Sequence, residues 1–130
     1  MSASLPPNDA LPNGDLDAVD PRVLRELAEL GGDDDPGLLL ELIDLFLDDA
    51  PRCLEEMERG LSTGDVRLLE RAAHTLKSSS ANLGARTLSA LCLRIEESAR
   101  THQVERLPAL LAESQHHWPR VVAALRAARS

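Results

Sequence analysis

Between residues 39 and 61, apolar side chains recur every three or four positions, the spacing that places them on one face of an α-helix. The members of this stripe are Leu39, Leu42, Ile43, Phe46, Ala50, Leu54, Met57 and Leu61. Pro51 interrupts the segment, but the stripe continues in phase beyond it, so we expect a kink rather than a helix end. A long helix with one apolar face must bury that face against other elements. The segment therefore predicts a helical fold with a shared core.

The same period recurs in four other segments, each bounded by residues that start or stop helices. Asp-Pro pairs precede the first two helices, as expected for an N-cap followed by proline. Gly31-Gly32 and Gly84 end the first and third. Pro108 suits the first turn of the last helix, and Pro119 should kink it. We expect helices over about 20–31, 36–61, 66–83, 86–100 and 104–128. With short connections, they predict an all-α fold, an antiparallel up-and-down four-helix bundle with an additional short N-terminal helix.

Composition supports a helical domain preceded by a short leader. The chain contains one Phe, one Trp and no Tyr, yet 43% of its 130 residues are hydrophobic. Most of these are Leu and Ala, which favour helices. Residues 1–19 contain three prolines, an Asn-Gly pair and scattered Asp, a composition typical of disorder. We therefore interpret 1–19 as a disordered leader or linker and 20–130 as one helical bundle.

Charge and motif content exclude several functional classes. The net charge is −8, with 17 acidic and 4 basic residues in 1–65 against 5 and 10 in 66–130. The acidic half repels nucleic acid. No apolar run approaches the roughly 20 residues of a membrane span, and no signal peptide is apparent.

Cys53 and Cys92 have apolar neighbours, which indicates buried thiols, with a disulfide left possible. We expect a cytoplasmic protein without nucleic-acid binding or membrane insertion. No nucleotide-binding loop appears, so ATP binding is not expected.

One histidine of the third helix points away from the predicted core. On a helical wheel at about 100° per residue, His74 lies opposite the apolar stripe, beside Arg67, Ser78 and Ala81. The small side chains leave space in which another protein could approach the imidazole. Lys77, at i+3, can reach a group attached to the ring. A solvated imidazole also keeps a neutral nitrogen near pH 7, as a nucleophile requires.

Residues 72–85 resemble the signature of the histidine phosphotransfer family of two-component phosphorelays. They read Ala-Ala-His-Thr-Leu-Lys-Ser-Ser-Ser-Ala-Asn-Leu-Gly-Ala. The resemblance implies that His74 is phosphorylated and that Lys77 contacts the phosphoryl group. Ser78 stands where many relatives have glycine, a position kept small so that a receiver domain can dock. With Ala81 and Arg67, Ser78 is assigned to the receiver-docking face.

The resemblance implies a phosphocarrier rather than an enzyme. His74 would accept a phosphoryl group from a receiver aspartate and pass it to another receiver. The partners would be response-regulator receiver domains, a hybrid sensor kinase, or both. No cofactor is expected on this chain, because the receivers would supply Mg²⁺. We expect a monomer and assign further docking contacts to Val23, Leu27 and Leu38. The sequence does not choose between a free-standing carrier and a module of a hybrid kinase.

Three other interpretations remain as alternatives. A helical bundle could bind receiver domains without being phosphorylated. A hydrolase could combine His74 with a serine of the Ser78–Ser80 run, but no acidic residue is evidently placed to orient the imidazole, and Ser80 should face the core. His116, His117 and His102 could hold a metal. Adjacent histidines diverge by about 100° on a helix, however, so no metal site is predicted. Trp118 is assigned to packing.

Overall fold

The computed structural model describes residues 18–129. Within this range, the regular secondary structure is helical throughout, and short turns connect the helices. The elements in chain order are α1 (Pro21–Gly31), α2 (Leu38–Thr63), α3 (Val66–Asn82), α4 (Arg86–Arg100), a 3-10 turn (Val104–Arg106) and α5 (Leu107–Arg129). Helices α2 to α5 pack in sequence, and α5 returns to contact α2, while α1 packs on α2. This arrangement confirms the predicted four-helix bundle with an additional N-terminal helix.

Aspartate caps account for the starts of α1 and α3, the first of them as predicted. The Asp20 carboxylate accepts a hydrogen bond from the backbone N–H of Arg22, and Pro21 occupies the first turn. Asp65 caps α3 by accepting from the N–H of Leu68 at 3.1 Å. Gly84 follows α3 with φ of 81°, a left-handed conformation that favours glycine. These residues fix where the site-bearing helix α3 begins and ends.

The core is built mainly from aliphatic side chains, as the composition predicted. Fully buried members include Ile43, Met57, Leu76, Leu88 and Leu125. Phe46 and Trp118 meet edge to face at 5.6 Å between ring centroids, which confirms the packing assignment of the tryptophan. Both cysteines are buried and free. Within residues 18–129, no helix combines the length and apolar character needed to cross a membrane.

Several boundaries differ from the predictions. Helix α2 begins at Leu38 rather than after Asp35, because residues 35–37 form a turn. The last predicted helix starts as a separate 3-10 turn, and α5 proper begins at Leu107. Both interior prolines, at 51 and 119, lie within continuous helices. Of the predicted leader, residues 1–17 lie outside the described part of the chain. Its last two residues, Ala18 and Val19, are buried, so the packed bundle extends at least that far.

The turn between α3 and α4 anchors the start of α1. The N–H of Asp20 donates to the carbonyl oxygen of Gly84 at 2.9 Å. The Asp20 carboxylate also accepts hydrogen bonds from the side chain of Arg22 and lies 3.0 Å from the guanidinium of Arg86. A Cβ at position 84 would lie 3.0 Å from the Cβ of Val23. The absence of a side chain at Gly84 thus lets α1 pack beside the C-terminal end of α3.

Candidate functional site

Helix α3 presents His74 to solvent, as the helical wheel predicted. Its side chain is 61% exposed, while Ala73 and Leu76 on the opposite face are buried. Ser78 and Ala81 are also exposed, so a ridge of one imidazole and two small residues runs along the outer face of the helix. We call His74, Ser78 and Ala81 the histidine ridge.

The His74 imidazole is held by a carboxylate from the neighbouring helix. Its Nδ1 lies 2.7 Å from Oε2 of Glu96 on α4. Because an ionised carboxylate only accepts hydrogen bonds, Nδ1 carries a proton, and in the neutral imidazole the lone pair therefore lies on Nε2. The sequence argument that no acidic residue is placed to orient the imidazole is therefore wrong.

Lys77 donates a hydrogen bond to the other oxygen of the same carboxylate. Its Nζ donates to Oε1 of Glu96 at 2.7 Å. The wheel correctly placed Lys77 on the side of α3 that bears His74, but in this structure its ammonium contacts Glu96. The hydroxyl of Ser89 on α4 donates to the carbonyl oxygen of Lys77 at 2.9 Å, which ties the two helices together at this level.

Glu96 is ionised at neutral pH despite its burial. Its side chain is 9% exposed. Burial alone would raise the pKa of Glu96, but the hydrogen bonds and charges of Lys77 and His74 outweigh it and hold the pKa below its usual value of 4.5. The carboxylate therefore remains available to accept the hydrogen bond from Nδ1–H across the physiological pH range.

Three surface depressions surround the histidine ridge. The α2 groove, of about 310 Å³, is lined chiefly by apolar residues of α1 and α2 together with Ser79, Asn82 and Leu83. The α4 groove, also about 310 Å³, lies on the other flank and includes Lys77 and Ala81. The third depression, of about 400 Å³, contains His74, Glu96 and Arg67. The small ridge is thus bordered by space on both sides.

The remaining residues that the sequence assigned to receiver docking lie at different positions around the histidine ridge. Arg67 is exposed and shares the third depression with His74. Of the suggested docking residues, Leu27 lines the α2 groove and Val23 lines the α4 groove. Leu38 is half-buried at the start of α2. The structure therefore places one suggested docking residue in each groove, and Leu38 lines neither of them.

Of the three serines considered for a hydrolase, Ser78 is exposed, while the other two are engaged or buried. Ser79 donates to the carbonyl oxygen of Thr75 at 3.0 Å, and Ser80 is fully buried, as predicted. The three histidines considered for metal binding are dispersed between the α4–α5 connection and α5. In the described part of the chain, no three His, Cys, Asp or Glu side chains group closely enough to hold a metal ion.

Comparisons with known proteins identify the family. The sequence model of one protein family, the Hpt domain, matches residues 41–128. The chain is 32% identical to histidine-containing phosphotransfer protein B (HptB) from Pseudomonas aeruginosa PAO1, and the match covers 86% of this chain and 94% of that one, with a TM-score of 0.79. The chain therefore belongs to the Hpt domain family.

Two further solved structures share the fold. The histidine-containing phosphotransfer protein ZmHP2 from maize is 25% identical, with a TM-score of 0.73 and coverage of 90% of this chain and 95% of that one. The Hpt domain of a sensor hybrid histidine kinase from Shewanella is 23% identical, with a TM-score of 0.72 and coverage of 87% and 94%. No curated protein sequence matches the chain. Family membership gives the chain a phosphotransfer role in two-component signalling.

Proposed function

We propose that the chain is a phosphorelay intermediate that carries a phosphoryl group on Nε2 of His74. The observation that carries this proposal is the 2.7 Å contact between Nδ1 of His74 and the Glu96 carboxylate. In the neutral imidazole, that contact leaves the lone pair on Nε2, on a side chain that is 61% exposed. A nucleophile for phosphoryl transfer needs both a free lone pair and room for in-line approach.

The transfer step follows from this geometry. The Nε2 lone pair attacks the phosphorus of a receiver phosphoaspartate, the N–P bond forms, and the P–O bond to the aspartate breaks, leaving a free carboxylate. The imidazole gains positive charge as the N–P bond forms, and Glu96, in contact with the Nδ1 proton, stabilises that charge. A second receiver aspartate reverses the step by attacking the same phosphorus. The receiver supplies Mg²⁺, so the chain itself acts as a phosphocarrier.

Lys77 serves two functions in this proposal. With the phosphoryl group absent, its ammonium neutralises Glu96, so the carboxylate does not repel an incoming phosphoryl donor. A lysine is a flexible point charge, and Lys77 remains 26% exposed, so it can exchange from Glu96 onto a phosphoryl oxygen. This preserves the predicted contact while explaining why the ammonium lies on Glu96 beforehand.

Receiver docking uses the histidine ridge and its flanking grooves. Ser78 and Ala81 are small enough to let a partner surface reach the imidazole, and Arg67 borders the same approach. Apolar side chains stand at the rims of both grooves, including Leu45 at 58% exposure and Leu93 at 39%. Exposed apolar patches of this kind are typical of protein contacts. These features support a receiver domain or the receiver of a hybrid kinase as partner.

The experiment is phosphotransfer from a pre-phosphorylated receiver domain to the wild type, His74→Gln and His116→Gln. His116 is an exposed histidine of α5 and serves as the matched control. We expect label on the wild type and on the control but none on His74→Gln, with the acid lability and base stability of a phosphohistidine. A folded wild type that takes no label from any of several receivers contradicts the proposal and favours a non-phosphorylated interaction module.

A further inference from the structure

The imidazole of His74 borders a depression on the N-terminal side of its own position in α3. The lining residues of this depression, of about 400 Å³, are Arg67, Glu70, Arg71, His74, Thr75 and Glu96. Lys77 lines a different depression, the α4 groove. The space next to the ring is thus bordered mainly by residues that precede His74 in the helix.

Helix geometry explains this placement. Every Cα–Cβ bond in an α-helix tilts toward the N-terminus, so a side chain covers the turn before its own Cα. The ring of His74 therefore lies over the turn that contains Glu70 and Arg71. Because Nδ1 is engaged by Glu96, a group attached to Nε2 would stand at the other edge of a ring that lines this depression.

Arg71 is the cation best placed to meet such a group. It lies three residues before His74, about 4.5 Å along the helix axis and about 60° around it, which makes the two side chains neighbours. Arg71 is exposed, and among the residues described no hydrogen bond or ion pair engages its guanidinium. The ammonium of Lys77, by contrast, is already held on Glu96 at 2.7 Å.

The charge of a phosphoryl group in this depression would also favour a nearby cation, and Arg67 and Arg71 are the two arginines that line it. The half-buried Glu70 and the Glu96 carboxylate both line it, and a phosphoryl group adds close to two negative charges. Lys77 offsets one carboxylate. A planar guanidinium with several donors can bind two phosphoryl oxygens at once.

We propose that Arg71 is a second phosphoryl-binding residue, which contacts the group on Nε2 of His74 from the N-terminal side, opposite Lys77. This proposal rests on the proposed phosphorylation of His74. It assigns to the depression a phosphoryl-binding function in addition to receiver docking.

The test uses phosphoramidate as the phosphodonor, because a small donor separates phosphoryl binding from receiver docking. We would compare the wild type with Arg71→Gln, Arg71→Lys and the control Arg59→Gln, which removes an exposed arginine of α2 and changes the net charge equally. The initial rate of His74 phosphorylation should fall about threefold to tenfold in Arg71→Gln, as expected for the loss of a charge-assisted hydrogen bond at an exposed site. Arg71→Lys should retain much of the rate, and Arg59→Gln all of it.

A spectroscopic signature distinguishes contact with the phosphoryl group from a structural effect. In ³¹P NMR, the phosphohistidine resonance of Arg71→Gln should titrate at higher pH than that of the wild type, because a nearby cation favours the dianion. Arg71→Gln behaving like Arg59→Gln in both rate and ³¹P titration overturns this inference and leaves the proposed function intact. Failure of both phosphoramidate and pre-phosphorylated receivers to phosphorylate His74 in folded wild type overturns both.

Discussion

Replacing Glu96 by glutamine tests whether the carboxylate sets the reactive form of His74. The change keeps the size of the side chain but removes its negative charge. Both oxygens of the carboxylate now accept a hydrogen bond of 2.7 Å, one from His74 and one from Lys77. A glutamine oxygen can still accept one of these bonds, but its NH₂ group cannot accept the other. We expect His74 to lose its strong preference for the proton on Nδ1, so that part of the population carries the proton on Nε2 and cannot attack phosphorus.

The size of the effect follows from the exposure of the partners. A hydrogen bond to a charged group contributes about 1.5–3 kcal/mol when well shielded. His74 is 61% exposed and Lys77 26%, so solvent screens both contacts, and we take about 1 kcal/mol for each. At about 1.4 kcal/mol per factor of ten, the phosphorylation rate should fall about fivefold. The free energy of unfolding should fall by about 1 kcal/mol.

The assay combines a rate with a direct reading of the imidazole. Two-bond ¹H–¹⁵N correlation spectra should show the Nδ1–H form of His74 in the wild type and a mixture in Glu96→Gln. Glu97→Gln is the matched control, because this neighbouring carboxylate is exposed. The initial rate of phosphorylation by phosphoramidate gives the kinetic effect. A wild type with the proton mainly on Nε2, or equal rates in the two variants, would refute the reasoning.

The same contact has a defined pH dependence. The folded-state pKa of Glu96 lies below its usual value of 4.5. A carboxyl group whose pKa is lowered by folding binds fewer protons in the folded than in the unfolded state. Its contribution to stability is thus fully present above about pH 4.5 and is lost as the pH falls through the lowered pKa. In Glu96→Gln, this part of the acid dependence should be absent.

Two further predictions concern stability. A Cβ at Gly60 would lie 2.8 Å from a backbone oxygen of the α2–α3 connection, so Gly60→Ala should lower the free energy of unfolding by about 1–3 kcal/mol in urea titrations. Gly37→Ala, whose Cβ would have no neighbour closer than 3.9 Å, should change it little, and equal effects would contradict the packing argument. Burial lowers the pKa of His117 below 6.5, so this residue favours folding above about pH 6.5 and loses that contribution as the pH falls. His117→Leu should therefore flatten the decrease in Tm between pH 7 and 5 relative to His116→Leu, and parallel curves would show that His117 does not titrate on unfolding.

The fold was predictable because each helix carries its own signals. The apolar stripe of α2 and the capping residues Asp20 and Asp65 are local in sequence, and local patterns determine where helices form. The failures lie at connections, where tertiary contacts decide between a helix and a turn. Residues 35–37 contain a good helix-start signal, yet their backbone hydrogen bonds close a turn against the end of α1. Helix boundaries therefore depend on packing as well as on propensity.

The candidate site was predictable on one helix and not across two. The exposure of His74, Ser78 and Ala81 follows from the wheel of α3 alone. The contact with Glu96 depends on the register between α3 and α4, which joins residues 22 positions apart. An acidic residue beside an apolar stripe is usually a solvated rim residue, so its charge alone gave no signal. The available signal was that Ser89 and Glu96 lie two turns apart on α4, on the face that meets α3.

In the proposed transfer, the pairing of Glu96 with Lys77 resolves a conflict between two requirements for phosphorylation of His74. A carboxylate on Nδ1 is useful because it keeps the lone pair of His74 on Nε2 and stabilises the positive charge that develops on the ring. The same carboxylate would repel a phosphoryl donor if it were unpaired. The Lys77 ammonium, at 2.7 Å from Oε1, cancels that charge without occupying Oε2, which remains with the imidazole. One buried carboxylate with two separate partners would therefore orient the proposed nucleophile, His74, without adding net negative charge next to its reactive nitrogen.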